Sequence, residues 1–338
     1  MVDAATQQTV ETAPAIPQLL TALTRLIAVP VEFHERRIGR NRFAQIIGQA
    51  IDVVDTLVEH GFPHEICGRS QTFEYYDAVN LALHARLECS IPETAESVML
   101  RYADAPPDTW VGSARWHVGW KIAAAAGSDV EIQLPDASVW GGVNRSLEID
   151  GVPAPPGGVV RVSGGDDVLV TADVSTLGQA MTVRSPQVRG WYDRVFGELA
   201  DGELTYQWMP GRLQRDPESF LSLGTLDCVA ASLLIARWAD AAGMEARTRR
   251  GIVLGLMGVE HTWVEVRDID GHFKPLDPIF AHLVSRKRSD AREFTEFCAG
   301  SLPNRFLSFR IAADKSIVRS SDESVTVAVS ASRVPEDQ

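Results

Sequence analysis

Cysteine is scarce and scattered. The 338 residues hold four, Cys67, Cys89, Cys228 and Cys298, with no C-x-x-C pair among them. That spacing offers neither a thiolate metal site nor a redox pair. A chain of this length fills a core without covalent staples, so free thiols in a reducing cytoplasm are the expectation. Positive charge is also in short supply: 32 Lys and Arg face 45 Asp and Glu, a net charge of −13. Such a surface repels phosphate backbones and anionic bilayers, so neither nucleic acid nor membrane is an expected partner. No apolar run approaches the length of a bilayer span. The opening MVDAATQQTVETAP lacks the basic-then-apolar order of a secretory signal. There is no Gly-rich phosphate cradle, no G-x-S-x-G elbow, no H-E-x-x-H and no acidic loop suited to calcium, so no cofactor or metal is expected. His60 and His64 stand four apart, but Gly61 and Pro63 break the helix that a metal-binding pair would need.

What is present is a chain able to fill cores, 45% hydrophobic, and long enough for two or three units. Residues 1–14 read as a frayed start. Helical spacing runs from Ile16 to Val29 and again from Phe43 to His60, with Gly61 as the stop. The connector between them, HERRIGRNR, reads as a solvated basic loop. From Ser97 the texture changes to short β-type runs: SVMLRYAD, ARWHVGWKI, DVEIQL, GVVRVSG and DVLVTADV. Trp110, Trp116, Trp120 and Trp140 belong to its core on this reading. The expected organisation is a helical region over 1–96, a β-rich unit over 97–185 and a mixed domain over 186–338. SVTVAVSAS reads as a final strand ahead of a disordered PEDQ.

The chemistry concentrates in residues 224–280. A helix starts at Cys228, with Thr225 or Asp227 as its cap and Gly243 as its stop. Cys228 therefore lies in the first turn, where unpaired amides and the helix dipole favour a thiolate and can donate to an oxyanion. ARTRRGIVLG is the next strand. HTWVEVRD follows, with His261, Trp263 and Glu265 on one face and Thr262, Val264 and Val266 on the other. HFKPLDPI returns after a turn at Asp270-Gly271.

Parity decides whether His261 and Asp277 meet. A two-residue loop pairs Ile269 with His272 and puts Asp277 on the face away from His261. A three-residue loop pairs Asp268 with His272 and sets Asp277 opposite Trp263, diagonal to His261. It also places Gly271 at a left-handed position ahead of a bulge. A five-residue loop would set the two directly opposite. The even register is expected, with Asp277 fixing one ring nitrogen of His261 and the other facing Cys228.

This segment resembles the transglutaminase-like superfamily, a branch of the papain-like folds, over about a third of the chain. Its pattern is Cys at a helix start, then His-x-Trp-Val-Glu, then Asp-Pro, matched here by Cys228, HTWVE and Asp277-Pro278. Leu226 stands where members often have Gly, and Thr262 where Ala is common. The resemblance implies an α+β core with an antiparallel sheet and a Cys228–His261–Asp277 triad. It also implies a second oxyanion donor upstream, for which Gln207 and Trp208 are candidates, and a substrate slot shaped by Leu226, Thr262 and Trp263. The implied reaction is attack on an amide or thioester, then transfer of the acyl group to an amine. Water as acceptor, in a peptidase or amidase, is the alternative; a non-catalytic interaction module is the alternative of another class. The expected partners are an acyl donor and an amine acceptor, with a carrier protein as one form of donor. Arg247, Arg249 and Arg250, and the cluster RKRSDAR at 286–292, read either as solvated faces or as attractors of an acidic partner.

Overall fold

The computed structural model describes residues 15–68, 70–124, 128–163, 165, 167–255, 258–288, 290–320 and 325–335. The expected frayed start and the last three residues of PEDQ lie outside that set. Contacts divide the chain into two units, Met1–Thr94 and Ala95–Gln338.

In the first unit, the apolar stripe from Phe43 to His60 forms two helices rather than one. After α1 (Ile16–Leu23) come α2 (Arg40–Ile47) and α3 (Ile51–Glu59). The break falls at Gly48, which adopts φ +65 and lies so close to the Cys89 carbonyl that an added Cβ would sit 2.3 Å from its oxygen. Only glycine accepts both conditions. The connector expected to be a loop supplies β1 (Arg37–Gly39), which joins β2 (Glu65–Cys67) and β3 (Ser70–Glu74) in a small antiparallel sheet of order β1-β3-β2. The helical region thus carries strands as well, followed by α4 (Tyr75–Ala85). Phe43 packs on Phe62 and Phe73 at ring separations of 4.6 and 4.9 Å. His60 Nδ1 donates to the Thr56 carbonyl at the end of α3, and His64 Nδ1 donates to the Phe62 carbonyl beyond it.

The run SVMLRYAD is not a strand. It finishes α5 (Ile91–Leu100) and continues as a 3-10 turn through Asp104, consistent with the helix-tolerant Met, Leu, Arg and Ala it contains. The strands begin with β4 (Gly112–Ala123), then β5 (Asp129–Gln133), β6 (Val143–Ile149), β7 (Val152–Pro153), β8 (Val159–Ser163) and β9 (Val168–Gly178). Along β4, Ala114, Trp116, Val118, Trp120 and Ile122 are buried in strict alternation, the period-two pattern of a sheet with one covered face. Trp110 is buried too, and Trp140 is half-buried.

Beyond this come α6 (Pro186–Ala200), β10 (Thr205–Tyr206), α7 (Gly211–Gln214), α8 (Pro217–Leu223), β11 (Thr225–Leu226) and α9 (Cys228–Ala241). They are followed by β12 (Ala246–Val253), β13 (Val259–Arg267), β14 (Phe273–Leu276), α10 (Pro278–Lys287), α11 (Arg292–Phe297) and β15 (Phe306–Ser308). Finally β16 (Val318–Ser320) and β17 (Thr326–Val334) turn back into the β-rich part, giving sheets of order β16-β5-β8 and β17-β4-β9-β6-β7. Ile252, Leu254, Leu307 and Phe309 enter the same buried cluster as Trp116 and Trp120. The β-rich part and the segment carrying Cys228 therefore share one core, and both fall within the second unit. The architecture is α+β with antiparallel sheets, among them a four-stranded one of order β14-β13-β12-β15. No described helix is long and apolar enough to cross a membrane.

Candidate active site

Two strands of two residues place the cysteine. β10 and β11 pair in parallel, Thr205 with Thr225 and Tyr206 with Leu226. The ladder continues past them: Gln207 N–H donates to the Leu226 carbonyl at 3.2 Å, and Met209 N–H to Asp227 Oδ2 at 3.2 Å. Asp227 caps α9, its Oδ1 accepting from Ala230 N–H at 2.9 Å, while Gln214 Nε2 donates to Oδ2 at 2.7 Å. One carboxylate thus fixes the helix start to the upstream segment. Burial raises its pKa, against the pull of the Ala230, Gln214 and Met209 donors. Cys228 is the first helical residue, partly exposed, and all four cysteines are free. Its own amide and that of Val229 have no acceptor within the helix.

The second half of the site is the hairpin of β13 and β14. The loop is the three-residue one, with Arg267 opposite Phe273, Val264 opposite Leu276, and Gly271 at φ +80. The strand expected to run through HFKPLDPI stops at Leu276, because Pro278 opens α10 and Asp277 becomes its cap. Asp before Pro is a helix-start signature, with Pro at the first position costing no hydrogen bond. Asp277 Oδ1 accepts from Phe280 N–H at 2.9 Å, and its backbone N–H donates to the Cys298 carbonyl at 3.1 Å. Held from both sides, the carboxylate offers Oδ2 to His261 Nε2–H at 2.6 Å. The other ring nitrogen, Nδ1, is the one left for Cys228, whose thiol acts electrostatically on the same ring. The structure therefore pairs His261 with Asp277, with Cys228 near enough for its charge to act on the ring.

His261 is nearly sealed from solvent, its ring 5.2 Å from that of Phe280 and 5.7 Å from that of Phe306. Burial by itself would lower its pKa. The facing Asp277 carboxylate, with Cys228 adding to it, outweighs burial and raises it to about 10. The ring is accordingly an imidazolium at neutral pH. Burial raises Cys298 as well, with Asp277 adding to the effect, so this thiol stays protonated behind the site.

Gln207 and Trp208 lie beside the start of α9 through the parallel ladder. The Trp208 indole N–H donates to the Tyr206 hydroxyl oxygen at 2.9 Å, so that donor is already engaged; Gln207 is buried. Leu226, Thr262 and Trp263 have 0%, 2% and 1% of their surface exposed. They pack within the core and do not line an open slot. The Trp263 indole lies against Gly251, where a Cβ would fall 2.8 Å from the ring.

Sequence patterning gives little sign of the buried carboxylate at Glu265. Entirely enclosed, it accepts from the indole N–H groups of Trp140 at 2.6 Å and Trp263 at 3.2 Å, and from Arg249 at 3.1 Å and Arg247. Arg250 bonds Glu260 and the Ala313 carbonyl. These arginines are thus structural ion-pair partners, not a solvated face or an attractor. In the other basic cluster, Lys287 meets Glu96 at 3.4 Å and Arg288 meets Asp104. Alternation put Glu265 on the His261 face, but no local signal points to Trp140, which lies 125 residues away. Among the described residues no group of three or more His, Cys, Asp or Glu side chains is arranged to hold a metal ion.

No family model matches the chain, and no curated protein does. Among solved structures it is similar to a Cytophaga hutchinsonii chain provisionally named a cysteine protease. The two are 14% identical, with 68% of this chain and 92% of that chain covered and a TM-score of 0.39. At that distance, the site's own geometry is what bears on function.

Proposed function

We propose that the protein is a cysteine-dependent acyl-transfer enzyme of the transglutaminase-like kind, with Cys228 as nucleophile, His261 as acid and base, and Asp277 as the residue that orients the ring. The observation that carries this reading is the His261 Nε2–Asp277 Oδ2 hydrogen bond of 2.6 Å, which leaves the opposite ring nitrogen for a cysteine at a helix start. A core histidine needs one partner; a histidine held between a carboxylate and a thiol has the arrangement of a proton shuttle.

In the reaction, the Cys228 sulfur attacks the carbonyl of an amide or thioester. The oxyanion that forms meets the amides at the start of α9, with Gln207 as the candidate second donor. His261, holding a proton as imidazolium, passes it to the leaving group. The thioester acyl-enzyme is then attacked by an amine, whose proton His261 takes, and an amide results. Asp277 accepts from Nε2–H and keeps that nitrogen protonated, so that Nδ1 does the proton transfer. An acyl donor, free or borne on a carrier protein, and an amine acceptor are the partners this chemistry requires.

The test is intact mass of wild type and Cys228→Ala after exposure to a panel of thioester and amide donors. An adduct of acyl mass on wild type alone is expected, discharged faster by an added amine than by water. Equal labelling of both proteins, or no adduct with any donor, would sink the assignment. Discharge at one rate with and without amines would make the enzyme a hydrolase.

A further inference from the structure

Arg305 differs from three other arginines of the second unit that are partly withdrawn from solvent. Arg247 and Arg249 meet Glu265, and Arg250 meets Glu260. Among the described residues no carboxylate stands within ion-pair range of Arg305. Its one hydrogen-bond acceptor among them is the Leu254 carbonyl, at 3.4 Å. A guanidinium has five N–H donors, so most of its capacity is unspent. The rings of Tyr102 and Trp116 lie 5.2 and 5.1 Å from the guanidinium carbon. Aromatic faces hold such a cation in place without neutralising it.

The surroundings add positive potential. Arg333 stands opposite Trp116 in the β17–β4 ladder, and its charge acts on Arg305. Burial in the first place, and Arg333 after it, lower the pKa of Arg305, while Tyr102 acts in the other direction. Tyr102 is itself 6% exposed, and its hydroxyl is buried with no hydrogen-bond partner. A cation drawn partly out of water, with a like charge at its side and no counter-charge, is costly unless an anion completes the set.

We propose that Arg305, with Arg333 and Tyr102 at its margins, is a binding site for a small oxyanion, a carboxylate or phosphate group. The planar guanidinium presents paired N–H donors that match either group in bidentate fashion, and the two rings fix its plane. The site borders the candidate active site: Arg305 directly precedes Phe306, whose ring touches that of His261, and the Asp277 charge reaches Tyr102. It requires no turnover at Cys228, so it stands or falls independently of the acyl-transfer reading.

The experiment titrates the full chain with inorganic phosphate and, separately, acetate, at constant ionic strength held with sodium chloride. The readouts are the thermal midpoint and the Nε–H resonances of arginine. Expected are a saturable rise in midpoint and a saturable shift of the Arg305 resonance, both absent in Arg305→Gln. Arg333→Gln should bind roughly tenfold more weakly. Response to phosphate alone assigns a phosphoryl group as the occupant; response to acetate as well assigns a carboxylate. Should Arg305→Gln fail to fold, Arg333→Gln and Tyr102→Phe carry the comparison. The proposal is overturned if neither anion gives a saturable response, or if the Arg variants respond as wild type does.

Discussion

Asp277 does two jobs with two oxygens, and substitution can separate them. Oδ1 caps α10 through Phe280 N–H and Oδ2 receives the His261 proton. Asparagine preserves a cap but changes what faces the ring, whereas alanine loses both. Asp277→Asn should therefore keep the start of α10 and form acyl-enzyme about 10²–10⁴-fold more slowly, as a wrongly oriented histidine does. Asp277→Ala should be as slow and lose roughly 1 kcal/mol of stability besides, read from urea unfolding. Equal stability of the two variants would deny Asp277 the capping role. The histidine adds a pH dependence whose sign is set by its raised pKa, about 10 in the folded protein against an ordinary value near 6.5. The stability that the Asp277 pairing provides is fully present below the unfolded pKa and is lost as pH rises through the folded one. The stability advantage of wild type over Asp277→Asn should shrink between pH 7 and pH 10.5; a constant advantage would show that the ring is neutral throughout.

At the level of elements, the hairpin that joins histidine and aspartate was legible because register has a parity and the turn residues choose it. Asp270-Gly271, with Gly271 at φ +80, favoured the three-residue loop, and one residue fewer would have turned Asp277 away. The end of β14 was less legible: FKPL and DPI look continuous in hydropathy, and only the capping geometry of Asp277 before Pro278 separates strand from helix. The same holds for the break at Gly48, which depends on the Cys89 carbonyl, 41 residues on. Long-range contact also conceals the requirement at Gly251, which faces His261 across the β12–β13 pair. A Cβ there would lie 2.8 Å from both the Leu307 carbonyl oxygen and the Trp263 ring. Gly251→Ala should therefore cost about 1–3 kcal/mol and, by pushing on the tilted Trp263–Phe306 ring pair beside His261, slow acylation as well. A variant that matches wild type in urea midpoint and in acylation rate would mean that the ring pair yields freely.

Across the whole molecule, the acid response should differ between the two units, because each buries an ionisable group of opposite kind. In the second unit His282 is buried, its Nδ1 has no partner, and burial, with Arg286 adding to it, lowers its pKa to about 4. Between that value and the unfolded one near 6.5 the unfolded chain binds more protons, so the second unit loses stability as pH falls through this range. In the first unit Asp77 is fully buried with one oxygen bonded to Val29 N–H at 2.9 Å and the other unpartnered. Burial raises its pKa to about 7; Val29 and His34 oppose the shift and Glu74 adds to it. Here the folded unit binds more protons from pH 7 down to about 3.9, so this carboxyl favours the folded first unit as acid is added. Thermal unfolding at pH 7 and pH 4.5 tests both signs. His282→Leu should lose less stability on acidification than wild type does. Asp77→Asn should be more stable than wild type at pH 7, and that advantage should fade by pH 4.5. Parallel losses in wild type and His282→Leu would deny His282 its part in the acid sensitivity of the second unit.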